Sequence, residues 1–427
     1  MSGPRVYLHI GSPKSGTTYV QSVLGANRTL LREHGVLVAG ERHLDLVHAA
    51  MAVREDPRLE RLEASRRSAW TRLVAQVRDW SGDAVVVSYE LFCAASEEQA
   101  AAALRDLAGL ETHVVITARD LGRAVPSAWQ ERLKFGLVKP LEEWTPPPAD
   151  QPRSEWGWRT LDPAGVARRW GATLPPERVH VVTVPRRPAQ PGELWARFAQ
   201  ACGIDEIPVE ADVAMANESL GVAEAEVLRR VNEQVAGTIS THRDQSIWLR
   251  DLLANDVLAS SPRRRVPLGL TDAQLAEAVA VSDAARAEIA ERGLAVHGDL
   301  ADLAATRPEG SRTPSELDAH DVADAAVAAV SGLLLHARSA DAVGGPAEAV
   351  KERVSNAWSG LTRDRAGSKA DLRRRIDRLE AEVAETRRLH LRVASLQDLV
   401  TQLLLPARER GGRINKSAVR RYRKESL

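Results

Sequence analysis

The segment Gly11-Ser12-Pro13-Lys14-Ser15-Gly16-Thr17-Thr18-Tyr19 concentrates residues that could do chemistry. Its glycines let the backbone turn tightly, so several N–H groups can converge on an anion. A helical pattern beginning near Thr17 adds the partial positive charge of a helix N-terminus. Lys14 supplies a full charge, and the two threonine hydroxyls supply further donors. Together these groups suit a phosphate. The spacing is close to the nucleotide-binding pattern G-x-x-x-x-G-K-[ST], with Gly11, Gly16 and Thr18 in place. Thr17 stands at the lysine position of that pattern, and the lysine lies three residues earlier, at Lys14.

Such a turn needs a strand that ends at Gly11 and a helix that starts behind it. Residues 5–10 are β-rich, and further apolar runs lie at 84–87, 113–117 and 179–184. They end in Ser88-Tyr89-Glu90, Ala118-Arg119-Asp120 and Pro185-Arg186-Arg187. Each run is apolar at nearly every residue, as in a strand covered on both faces. Helical stretches such as 97–108 and 192–202 separate them. The alternation predicts an α/β fold, a parallel sheet flanked by helices. Ligands of such sheets bind beyond the carboxyl ends of the strands, where these polar clusters fall. A magnesium-dependent kinase would also want a carboxylate at a strand end, and Asp120 and Glu90 stand in such places. The displaced lysine argues against that reading.

Pro-Lys-Ser-Gly-Thr-Thr followed by an aromatic residue resembles the 5′-phosphosulfate loop of sulfotransferases that use 3′-phosphoadenosine 5′-phosphosulfate (PAPS). A second signature of that family is a strand ending in Arg with a Ser eight residues later, matched here by Arg119 and Ser127. Guanidinium makes a two-point contact with phosphate, and a hydroxyl can complete it. The resemblance implies the P-loop-like sulfotransferase fold, with Lys14, Ser15, Gly16, Thr17 and Thr18 on the 5′-phosphosulfate. It implies Arg119 and Ser127 on the 3′-phosphate, and Tyr19, in place of the family's usual Trp, stacked on adenine. It is sharp at these two sites, covers the general layout of residues 5–205 and fades towards 305. A third cofactor contact, Arg-Lys-Gly in some relatives, has only Arg263-Arg264-Arg265 as a poor counterpart.

The implied reaction moves a sulfuryl group from PAPS to a hydroxyl, less readily an amine, of an acceptor such as a carbohydrate or glycoconjugate. Lys14 is the cation expected beside the leaving oxygen, and no metal is required. Carbohydrate-modifying relatives use Glu as the base, which makes Glu90 the first choice and His48 the second. A helix-capping role for Glu90 and a structural role for His48 are the plain alternatives. His9 is expected to be buried and hydrogen-bonded. Trp129, Gln130, Glu131 and Lys134 would face the mouth of the cleft, with Trp129 stacking on a sugar.

The 427 residues, 44% apolar and 27% charged, fit a soluble globular protein of two or three domains. A break near Arg307-Pro308-Glu309-Gly310-Ser311 divides a sulfotransferase domain, 1–305, from a helical C-terminal extension. Within the first part, 145–153 reads as a surface loop and 222–305 as mostly helical. Beyond it lie an Ala-rich helical linker over 306–365, a coiled-coil candidate over 366–405 and a basic tail over 406–427. Leu372, Ile376, Leu379 and Val383 follow 4-3-4 spacing, resumed at Leu389, Val393, Leu396, Val400 and Leu403, a route to a homo-oligomer through 372–403. Residues 363–427 hold 18 Lys/Arg against 9 Asp/Glu, so an acidic body carries a basic end suited to an anionic surface. Aromatic interleaving there is limited to Tyr422, and no specific nucleic acid is expected.

Two cysteines, Cys93 and Cys202, give neither a disulfide framework nor a zinc spacing. With no signal-peptide pattern and no long uninterrupted apolar stretch, the expected location is cytoplasmic, with peripheral membrane contact open to the tail. Heavy use of Ala and Arg points to a GC-rich bacterial genome. Outside the enzyme class, the competing reading is an interaction protein with a vestigial nucleotide site.

Overall fold

A computed structural model describes residues 3–151, 155–186, 191–213 and 219–342. Its centre is a six-stranded, fully parallel sheet: β1 (Arg5–His9), β2 (Val36–Val38), β3 (Ala84–Ser88), β4 (Thr112–Ala118), β5 (Val179–Thr183) and β6 (Ala295–His297). The spatial order is β2-β3-β1-β4-β5-β6, so the first strand is central and later strands are laid on both sides of it. The direction of winding reverses beside β1, the place where open parallel sheets receive ligands.

The expected parallel sheet flanked by helices is the observed one, and the apolar runs became strands for the reason their composition gives. Alternate residues enter two separate cores. Val6, Leu8, Val85, Val87, Val114, Ile116 and Val181 face Phe92, Trp170 and the helices His43–Val53, Glu97–Asp106 and Pro163–Trp170. Tyr7, Val86, Val115 and Val182 face the helices Thr17–Ala26 and Glu193–Ala201 through Val20, Val23, Trp195 and Phe198. With water excluded from both faces, neither parity has to be polar.

Two strands were invisible in the sequence. β2 has only three residues after Gly35, whose φ is +77°. β6 interrupts the stretch 222–305 that reads as helical. Both are short edge strands held by their neighbours' backbone, Val36–Val38 on β3 and Ala295–His297 on β5. Elsewhere that stretch is helical over Val222–Val235, the π-helical Gln245–Leu258 and Asp272–Glu291.

The chain divides into two compact units, Met1–Gly332 and Leu333–Leu427. Residues 306–332, read from the sequence as the start of a linker, thus belong to the first unit. Arg312 bridges to Leu268, and Val322, Ala325 and Ala329 are buried. The helix Ala319–Ala342 contains a stretch, Ala319–Ser339, long and apolar enough by length and composition to cross a membrane. The coiled-coil candidate and the basic tail lie outside the described residues.

Candidate functional site

The turn between β1 and the helix Thr17–Ala26 is fixed by close packing. Gly11 and Gly16 have φ of +74° and +80°, which glycine alone adopts without strain. A Cβ at Gly16 would lie 2.4 Å from Leu194 Cδ2, and one at Gly11 would lie 2.6 Å from Glu90 Cβ. Lys14, at φ +65°, holds a left-handed conformation without being glycine. Gly16 is the N-cap residue of the helix, no side chain caps it, and its first turn carries no acidic residue. The helix itself thus brings no anion to its leading N–H groups. Thr17 is buried and Thr18 exposed in that first turn.

A buried polar chain ties this turn to three strand ends. His9 Nδ1 lies 2.7 Å from Ser88 Oγ, and His9 Nε2 lies 3.2 Å from Thr117 Oγ1. Thr117 Oγ1 lies 2.6 Å from Ser15 Oγ, and Ser15 donates to the Ser12 carbonyl. Each hydroxyl has one proton, so the last bond orders the rest. Thr117 donates to Ser15, and His9 Nε2–H donates to Thr117. Burial pushes the His9 pKa down to about 3 and keeps the imidazole neutral, so its Nδ1 accepts from Ser88. His9 is thus buried and hydrogen-bonded, as the sequence indicates, whereas the Ser15 hydroxyl serves the turn's own anchoring. Thr117 and Ser88 escaped the sequence reading. The signal was present, because strand alternation sets both on the face of His9.

Arg119 follows β4 directly. Its Nη1 donates to the Lys14 carbonyl at 3.3 Å, while its Nε is buried without a partner among the described residues. Burial, then the neighbouring Arg123, lower its pKa to about 10, against the opposing pull of Asp120. Arg123 Nη2 is likewise buried without a partner, while its Nε is paired with Asp120. Asp120 also caps the helix Leu121–Leu133 through the Arg123 N–H at 3.1 Å. Of the two carboxylates that a kinase could present to magnesium, Asp120 is thereby engaged as a helix cap.

Lys14 Nζ lies 2.8 Å from Glu131 Oε1, and Lys134 Nζ reaches the same oxygen at 2.9 Å. Burial alone would raise the Glu131 pKa; the Lys14 and Lys134 ammoniums overcome it and bring it down to about 2. Glu90 sits against Gly11 at the end of β3 and accepts from Gln21 Nε2 at 2.9 Å. The turn, Arg119, Glu131 and Glu90 therefore converge at one end of the sheet.

Other expected residues fall elsewhere. Trp129 is fully buried, its Nε1 donating to the Lys139 carbonyl at 3.0 Å, and so cannot stack on a sugar. The reason is that Leu121–Leu133 is covered on most sides, with Leu121, Ala124, Val125, Ala128 and Leu133 buried beside it. Gln130 is buried too, and donates to the Leu220 carbonyl. His48 is buried, which lowers its pKa, and its charged neighbours are Arg66, Asp45 and Arg72, none of them in the turn. It is His43, from the same helix, whose ring meets Tyr89 beside Glu90, at 5.4 Å between centroids. Tyr19 is half-buried, packs against the second core and donates from its hydroxyl to the Ala211 carbonyl at 2.9 Å. Ser127 is buried in the helix Leu121–Leu133. Arg263 and Arg265 are bonded, Arg263 Nη1 to the Asp321 carbonyl at 3.5 Å and Arg265 to the Ala259 carbonyl. Cys93 and Cys202 are buried free thiols.

Comparisons with known proteins place two solved structures beside this chain. One, a sulfotransferase domain from the curacin biosynthetic pathway, is 14% identical over 49% of this chain and 76% of its own, with a TM-score of 0.30. The other, a sulfotransferase from Alicyclobacillus acidocaldarius, is 15% identical over 59% of this chain and 98% of its own, with a TM-score of 0.33. No curated protein matches. A family model described as a domain of unknown function (DUF6752) matches residues 372–426.

Proposed function

We propose that the body of this chain is a sulfotransferase that moves a sulfuryl group from PAPS to the hydroxyl of an acceptor, a carbohydrate or glycoconjugate by preference. The observation that carries this reading is the Arg119 guanidinium. It is mostly buried and bonded to the carbonyl of Lys14, yet its Nε has no partner among the described residues. A buried cation without its anion costs several kcal/mol unless a ligand supplies the charge. Its neighbour is a glycine-bracketed turn at a helix N-terminus that no side chain caps, which suits a second anion. One ligand with phosphates at two separated positions answers both.

When bound, PAPS supplies the activated sulfuryl group, whose S–O bond to the 5′-phosphate breaks as a new S–O bond forms to the acceptor. The turn from Ser12 to Thr18 holds the 5′ end through backbone N–H groups and the Thr18 hydroxyl. Lys14 offsets the negative charge that develops on the leaving oxygen, a contribution worth on the order of 100-fold in rate. Arg119 and Ser127 hold the 3′-phosphate. Glu90, against Gly11, takes the acceptor proton in preference to His48. Tyr19 offers its ring to adenine while its hydroxyl stays on Ala211. We place the enzyme in the cytoplasm, self-associating through 372–403, with its basic tail available to anionic surfaces.

Isothermal calorimetry with 3′-phosphoadenosine 5′-phosphate (PAP) in the absence of magnesium tests this reading. Micromolar binding is expected, with ATP and magnesium binding far more weakly. No heat with PAP at millimolar concentration would overturn it.

A further inference from the structure

The only lysine of the turn is already engaged by a carboxylate. Lys14 and Lys134 converge on one oxygen of Glu131, at 2.8 and 2.9 Å, and all three side chains are mostly buried, at 28, 13 and 14% exposure respectively. An ammonium has three N–H donors, so Lys14 can keep its bond to Glu131 and still donate twice to a ligand. A lone carboxylate beside an anion-binding turn would repel the ligand, whereas this one is shared between two cations and held at a pKa of about 2. The trio carries one net positive charge with its carboxylate in the middle.

We infer that Glu131 is a positioning residue that fixes the Lys14 ammonium towards the 5′ end of the bound nucleotide, and that Lys134 cancels the charge Glu131 would otherwise present to it. This assignment rests on the reading of the turn as a PAPS site. It replaces the sequence-based expectation that Glu131 and Lys134 line an acceptor cleft. Lys14 sits on the strained turn, while Glu131 and Lys134 lie one helical turn apart at the end of Leu121–Leu133. The helix therefore sets where the ammonium stands. Lys134 never touches the nucleotide; it acts through Glu131.

The test uses the full chain and two probes, PAP and adenosine 3′-phosphate, which lacks the 5′ anion. Lys134→Met leaves Lys14 alone against the Glu131 charge, takes the net charge of the cluster from one positive to zero and weakens PAP about tenfold, while adenosine 3′-phosphate changes by less than about twofold. Lys134→Arg, which keeps the charge, binds PAP like the parent. In Glu131→Gln/Lys134→Met the amide oxygen still accepts from Lys14 while both charges are gone, and PAP affinity returns to within about threefold of the parent. A purely structural role predicts additive losses and equal damage to both probes. Unchanged PAP binding by Lys134→Met, or a double variant no better than that single one, overturns the inference. Failure of the parent chain to bind PAP overturns instead the donor assignment beneath it.

Discussion

Acidification should loosen the turn through His9, by an amount the buried polar chain sets. In the native state the ring is neutral, donating to Thr117 and accepting from Ser88, and its pKa falls from 6.5 to about 3. The unfolded chain takes up a proton near pH 6.5, whereas the folded chain resists it until about pH 3. The stabilisation from neutral His9 is therefore complete above pH 6.5 and is lost as the pH falls towards 3. A unit of pKa is about 1.4 kcal/mol, so the full effect is on the order of 5 kcal/mol, with about 2–3 kcal/mol gone by pH 4.5. His180, brought down to about 4 by burial and by its neighbours His113 and His297, titrates in the same window and must be separated. Urea unfolding of the parent and of His9→Gln, from pH 7.5 to 4.5, does so because His180 is common to both. The variant should be less stable at pH 7.5, by about 1–3 kcal/mol for the disrupted buried hydrogen bonds. That gap should close as the pH falls. A gap that stays constant across the range would refute the neutral-imidazole assignment and the proton order built on it.

Arg119→Met should raise the melting temperature, by relieving an uncompensated buried charge worth on the order of 2 kcal/mol, while abolishing stabilisation by PAP in thermal shift. Gly16→Ala meets both the φ of +80° and Leu194, costing about 2–4 kcal/mol by urea unfolding, and Leu194→Ala should recover part of that loss. Trp129→Ala should destabilise by about 3–5 kcal/mol, as a core deletion does, with PAP affinity measured in the cold close to that of the parent. Glu90→Gln should leave PAP binding intact by calorimetry and slow transfer of labelled sulfate to acceptors in fractionated extract by about 100-fold or more.

Much of the body is legible in residue order. Four apolar runs, each terminated by polar residues, are enough to predict a parallel sheet with a site at its carboxyl end, because burial on both faces leaves that composition little alternative. The turn from Gly11 to Thr18 is legible for a similarly local reason, since its glycines, lysine and helix start act over eight residues. Strands β2 and β6 are not, because three residues carry no period and their pairing comes from the neighbouring strand. The same limit governs side-chain roles. Local pattern gave Trp129 and Glu131 equal standing as cleft residues, two positions apart on one helix. Tertiary packing separated them, covering the face that carries Trp129 and bringing Glu131 to Lys14, 117 residues away. Local spacing fixes which groups an element offers; only the assembled sheet and helices decide which are covered, which are charged and which meet.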